Sequence, residues 1–232
     1  NPSTVLLVDD DGGADLERYY VDSVLTSLAS FQVWHVEESG SPGRFLSKYP
    51  TVVWATGRTD TATLTPEDRQ SLKSYLDSGG KLILFGPRVQ DDLLDSAEPD
   101  TQFFRRVLHA LPSNESAALP FLTLTVVERS IYEAPYLTLS PGQNTVFRAV
   151  EPAPEARVLL RYSFGPAGVF TTSGHRVAYL TFGLEDVTSR DPEVGEWKRR
   201  RLLRGLFDLL ERPAGLGPSG RDARRQFALQ IH

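Results

Sequence analysis

The stretch Val5-Leu6-Leu7-Val8-Asp9-Asp10-Asp11-Gly12-Gly13 runs four apolar residues straight into three carboxylates and two glycines. An unbroken apolar run of this length predicts a strand buried on both faces, placed at Thr4–Val8. Leu16, Tyr19, Tyr20, Val24 and Leu28 then recur at helical spacing, which predicts a helix from about Asp15 to Ser30. A buried strand feeding a helix through an acidic, glycine-containing turn is the opening unit of an open α/β sheet. In such sheets ligands gather at the carboxyl ends of the strands.

The same rhythm continues downstream. Phe31–Val36 reads as a strand, Ser41-Pro42 starts a short helix ending near Tyr49, and Thr51–Thr56 is a third strand broken by Gly57. Thr65-Pro66-Glu67-Asp68 is a strong helix start: a hydroxyl cap, a proline at the first position and acids at the positive end of the dipole. Leu72, Tyr75 and Leu76 make the inner stripe, Gly79-Gly80 stops the helix, and Lys81–Phe85 is a fourth strand. This alternation predicts an α/β fold with a mostly parallel central sheet and helices on both faces.

The regularity weakens after Val89. Asp100–Leu111 carries a helical apolar pattern, and short β-prone pieces follow at Phe121–Val127, Thr145–Val150, Arg157–Tyr162, Gly168–Thr172 and Arg176–Phe182. Gly165-Pro166 and Ser173-Gly174 read as turns, so residues 112–175 are expected to form a β-rich insertion. Asp191-Pro192 starts a last helix with an apolar stripe of Val194, Trp197, Leu203, Leu206, Phe207 and Leu210. Lys198–Arg201 with Arg204 form a basic, solvated face. One α/β domain over 1–212 is expected, with 213–232 as a Gly-, Pro- and Arg-rich linker or tail.

Composition narrows the function. The 232 residues carry 25 basic and 30 acidic side chains, a net charge of −5, which gives no basic field for nucleic acid. Four of the cations are lysines; the rest are arginines. There is no cysteine, which removes disulfides, thiolate metal sites and a cysteine nucleophile. No apolar run nears the ~20 residues of a membrane span. Asn1 stands first and methionine is absent, so the chain reads as a mature product or a segment of a longer protein.

Four stretches together resemble the class I glutamine amidotransferase-like superfamily, whose fold is a flavodoxin-like three-layer α/β/α. They are the opening 5–13, the strand Val52–Gly57, the run Tyr75–Gly86, and Val177–Glu185. The opening, with its following Tyr19-Tyr20, is similar to versions of this domain found inside large secreted or surface bacterial proteins. The resemblance implies a nucleophilic Cys in the turn after a strand, and a His-Pro-Glu segment before the last helix. Here the first is Gly86-Pro87-Arg88-Val89 and the second is Phe182-Gly183-Leu184-Glu185, so only the Glu remains. The resemblance therefore implies a non-catalytic accessory domain, secreted or at the cell surface. It would contact neighbouring domains of its own polypeptide, a surface partner or a glycan.

Asp9, Asp10 and Asp11 admit three readings. A phospho-acceptor receiver also opens on adjacent aspartates, but it needs another Asp at the end of its third strand, where Thr56-Gly57 stands. A Ca²⁺ or Mg²⁺ site, with Asp15 or Asp60 contributing, suits clustered carboxylates. The simplest reading is a strand–helix turn that the aspartates cap and Gly12-Gly13 allow. If the first and last parallel strands are neighbours, Asp9–Asp11 and Glu185 also form a carboxylate pair of the glycosidase kind, with Asp10 and Glu185 catalytic and Trp34 and Trp54 stacking on sugar. His35, His109, His175 and His232 show no metal-ligand spacing and read as structural. Ser41, among glycines without the hydrolase spacing, reads as a helix cap.

Overall fold

The computed structural model describes residues 4–25, 29–59, 63–95, 100–140 and 145–212. Strands β1 (Val5–Asp9), β2 (Phe31–His35), β3 (Thr51–Ala55) and β4 (Lys81–Phe85) are parallel, and β11 (Arg176–Leu180) joins β4 in the same sense. Between them run α1 (Arg18–Tyr20), α2 (Val36–Ser39), α3 (Pro66–Asp77), α4 (Val89–Asp95) and α5 (Thr101–Arg106), with α6 (Pro192–Glu211) last. With β6 (Leu122–Val126), β7 (Tyr136–Leu139), β9 (Arg157–Tyr162) and β10 (Gly165–Thr171), the sheet order is β2-β1-β3-β4-β11-β10-β9-β6-β7.

The alternation of side chains along each strand builds two cores. Leu7, Val53, Ile83 and Leu180 face Tyr20, Leu25 and the Leu202, Leu203, Leu206 and Leu209 stripe of α6. Leu6, Val8, Trp54, Leu84 and Tyr179 face Leu72, Tyr75 and Leu76 of α3 and Phe103 and Phe104 of α5. Each fully buried Leu or Phe contributes about 1.5–3 kcal/mol over its exposed state. The result is a central sheet with helices on both faces, as the alternating pattern predicts, in the flavodoxin-like three-layer α/β/α arrangement that the resemblance implies. The cap of α3 also forms as predicted: Asp68 N–H donates to Thr65 Oγ1 and Thr65 N–H to the Asp68 carboxylate.

Several local features differ from the sequence reading, each for an identifiable reason. The first helix starts at Arg18 and widens into a π-helical turn over Val21–Leu25. Residues before it are held in a loop, because the Asp11 carboxylate accepts from both Ala14 N–H and Leu16 N–H, and Asp15 is left-handed at φ 52°. Leu28 lies outside the described residues. The α5 pattern ends early because His109 is left-handed at φ 53°, and β5 (Ala110–Ala117) begins next, pairing with β8 (Phe147–Pro152). Gly165-Pro166 is not a turn. It opens β10 (Gly165–Thr171), and Gly165 is needed because a Cβ there would stand 2.6 Å from the Ala149 Cβ. Ser41 caps nothing: the short 3₁₀ helix Gly43–Lys48 has no side-chain cap.

The β-prone stretch extends the central sheet. β6 (Leu122–Val126), β7 (Tyr136–Leu139), β9 (Arg157–Tyr162) and β10 add to β11 in antiparallel fashion. Val194 and Trp197 of α6 are exposed rather than in its buried stripe; Trp197 packs edge-on against Tyr132. The basic face of α6 is spent on local bonds: Lys198 to Thr188 O, Arg199 to Val187 O, Arg200 to Glu196 and Arg201 to Glu133.

Gly205 lets α6 lie directly on the backbone of Ile131, where any Cβ would overlap the Ile131 carbonyl. Gly205→Ala gains about 1 kcal/mol of helix propensity but forces backbone apart at a cost of about 1–3 kcal/mol. We expect net destabilisation in urea unfolding, with α6 retained by circular dichroism.

Candidate functional site

The parallel strands all end on one edge, at Asp9, Ala55, Phe85 and Leu180. Asp9 closes β1, and the loops that follow these strands carry Asp10, Asp11, Gly86–Arg88 and Gly183–Glu185. Side-chain alternation then separates the three aspartates. Asp9 pairs with His35, its register partner on β2, through Oδ2 and Nδ1 at 2.8 Å. Asp10 turns to the other face and accepts from the Trp54 indole N–H at 2.9 Å. Asp11 accepts the two backbone bonds that shape the following turn. Burial pushes the Asp10 carboxyl up to about 7 against the opposing Trp54 bond. Burial also raises Asp9, which the His35 bond partly offsets.

Asp9, Asp11 and Glu17 bring carboxylate oxygens within 4.8 Å of one another, at the floor of a cleft of about 230 Å³ that His35 and Glu37 also line. Asp9 is buried and its Oδ1 has no protein partner. Hard divalent cations take such oxygens. Gly57, at φ 55°, lets the β3 loop lie against Asp11, where any larger residue would meet the Asp11 Cβ. Of the further metal candidates, Asp15 lines the cleft and Asp60 lies outside the described residues.

A second cluster closes the edge beyond β11. Tyr20 donates to Glu185 Oε2 at 3.1 Å and accepts from Leu184 N–H at 3.0 Å. Asp186 accepts from Arg58 at 2.8 Å and from Gly183 N–H at 2.9 Å. Burial, with the neighbouring Asp186 charge, pushes the Glu185 carboxyl up to about 7. A Cβ at Gly183 would overlap the Glu185 carboxyl group, so a larger residue at 183 and this Glu185 placement exclude each other.

The turn after β4 is packed rather than open. Gly86 and Pro87 are buried, and Arg88 pairs with Asp91 at 3.0 Å, which also meets Arg148 of β8.

The carboxylate pair expected from Asp9–Asp11 and Glu185 does not form. Its condition was adjacent strands, whereas β3 and β4 stand between β1 and β11, three strand spacings or roughly 14 Å. Neither tryptophan offers a sugar platform: Trp54 is fully buried, and Trp34 packs on Phe45 and bonds Gly40 O. The sequence reading missed Tyr20, Arg58, Glu17 and the His35 pairing. Only the last had a signal, since aligning β1 with β2 sets His35 beside Asp9.

No family model matches the chain, and no curated protein matches it in sequence. Solved structures do. A glutamine amidotransferase from Thermotoga maritima superposes with TM-score 0.56 at 14% identity, covering 90% of this chain and 98% of that one. A ThuA-like protein from Bacteroides uniformis gives 0.60 at 13%, covering 89% and 90%. The N-terminal domain of mmIFT52 gives 0.57 at 16%, covering 92% and 100%. The fold is thus that of the class I glutamine amidotransferase-like proteins.

Glu185 generates a pH signature. Its carboxyl is raised in the fold, so the protonated form is favoured there. The stability it contributes is present below the ordinary value of 4.5 and is lost as pH rises through about 7. The loss is on the order of 3 kcal/mol at 1.36 kcal/mol per pK unit. We expect Glu185→Gln to be flatter than wild type between pH 5 and 8 in denaturant titrations, and more stable at pH 8.

Proposed function

We propose that this chain is a non-catalytic interaction domain of a larger bacterial protein, secreted or held at the cell surface. Its loops at the carboxyl edge of the sheet would contact a neighbouring domain, a surface partner or a glycan. The observation that carries this reading is the filling of both positions where amidotransferase-like chemistry would reside. Pro87 and the Arg88–Asp91 pair occupy the nucleophile turn, and the Glu185 carboxyl occupies the space beside Gly183. Acyl transfer needs a nucleophile and a base within hydrogen-bond reach, and Gly86, Pro87, Arg88 and Gly183 supply neither. The likeness to the N-terminal domain of mmIFT52 is in keeping with this fold serving as one domain of a longer chain.

The purified chain is expected to turn over amide, ester and glycoside substrates no faster than buffer. Turnover that disappears in Asp10→Ala or Glu185→Ala would overturn the reading.

A second reading is supported by the partnerless buried Oδ1 of Asp9 beside Asp11 and Glu17: a divalent-cation site that stiffens the contact loops. Ca²⁺ or Mg²⁺ at 100 times its Kd adds about 2.7 kcal/mol, a rise in Tm of roughly 5–10 °C for a domain of this size. The rise is expected in wild type and absent in Asp9→Asn; no rise at millimolar cation contradicts the site.

A further inference from the structure

At the opposite, amino-terminal edge of the parallel strands, four stretches far apart in sequence converge on two histidines. His109 lies between α5 and β5, and His175 immediately precedes β11. His109 Nδ1 meets Glu155 Oε1 at 2.7 Å, and His175 Nε2 meets Asp77 Oδ1 at 2.9 Å. The other two ring nitrogens, His109 Nε2 and His175 Nδ1, face each other at 3.4 Å. Lys73 holds the second oxygen of Asp77 at 2.6 Å. The His109 side chain is buried, and His175 is largely so.

The tautomers follow from the partners. A carboxylate only accepts, so each histidine must turn its N–H toward its acid. With both rings neutral, the facing nitrogens are then two bare lone pairs. Either a proton on one ring or a cation held by both relieves them, and the 3.4 Å separation is long beside the usual range of about 2.7–3.2 Å for N–H···O bonds. Two ligands of a tetrahedral cation at about 2.0–2.1 Å stand about 3.3 Å apart, close to the observed separation. Carboxylates on the outer nitrogens are the usual support of metal-bound imidazole, fixing the tautomer and raising its basicity.

We propose that His109 and His175 form a binding site for a late first-row divalent cation, Zn²⁺ or Cu²⁺, with water completing the coordination. Glu155 and Asp77 are its positioning residues. Imidazole suits these cations and not Ca²⁺ or Mg²⁺, so the site is chemically distinct from the Asp9, Asp11 and Glu17 carboxylate cluster at the other edge. It would clamp α3, the α5–β5 junction, the β8–β9 turn and the start of β11 together.

The test is a titration of the full chain with Zn²⁺ by calorimetry and with Cu²⁺ by electron paramagnetic resonance, in excess Mg²⁺ to fill the carboxylate cleft. One saturable equivalent is expected, with hyperfine structure from two imidazole nitrogens on Cu²⁺. His175→Ala, just after the exposed Ser173-Gly174 turn, is expected to lose that equivalent while still folding. Asp77→Asn is expected to weaken it about 10–100-fold. Failure of wild type to bind either cation overturns the proposal. So does binding that His175→Ala leaves unchanged.

Discussion

The Tyr20 hydroxyl, donating to Glu185 and accepting from Leu184 N–H, is the contact on which the functional edge of this molecule depends. It ties the first helix to the loop after the last parallel strand, across the whole width of β1, β3, β4 and β11. Arg58 adds the β3 loop through Asp186. A buried acid pair with one guanidinium is costly to form, because each charge loses its hydration. What it achieves is geometric: three loops that would otherwise surround an open crevice are drawn onto a shared polar centre. The Glu185 carboxyl then sits where a side chain at 183 would project.

This closure divides the carboxyl edge into unlike halves. On the β1–β2 side, the buried Asp9 and Asp11 and the half-buried Glu17 line a cleft, with Asp9 steadied by His35. On the β11 side, Asp186 accepts from Arg58 and Gly183 N–H, and Glu185 accepts from Tyr20 through Oε2.

The parallel half of the fold was legible because its signals are local. Val5–Val8, Val52–Trp54 and Leu82–Phe85 are buried on both faces and read as unbroken apolar runs, and Thr65-Pro66 with Gly79 bounds α3 in sequence. Elements governed by single backbone conformations were not. His109 at positive φ ends a helix that its apolar pattern would continue, and Gly165 is demanded by Ala149, which is distant in sequence. The site was half legible for the same reason. The acidic run and the altered positions 87 and 183 lie in plain sequence. The division of labour among Asp9, Asp10 and Asp11 depends on strand alternation and on Trp54, and Tyr20 reaches Glu185 only through the tertiary fold. The His109–His175 meeting joins residues 66 apart and has no sequence spacing to betray it.

The claim that a closed, carboxyl-filled edge replaces a reactive one is tested most directly by observing Glu185 itself. Carbon-13 labelling of glutamate side chains, with Glu185→Gln for assignment, gives its titration by NMR in the intact protein. Glu185 is expected to titrate well above the ordinary carboxyl range, near 7, because burial and the Asp186 charge disfavour its ionised form, and to move when Tyr20→Phe removes its donor. A Glu185 that titrates at the ordinary 4.5 and ignores Tyr20→Phe would contradict it, for such a carboxyl would be solvated in an open crevice.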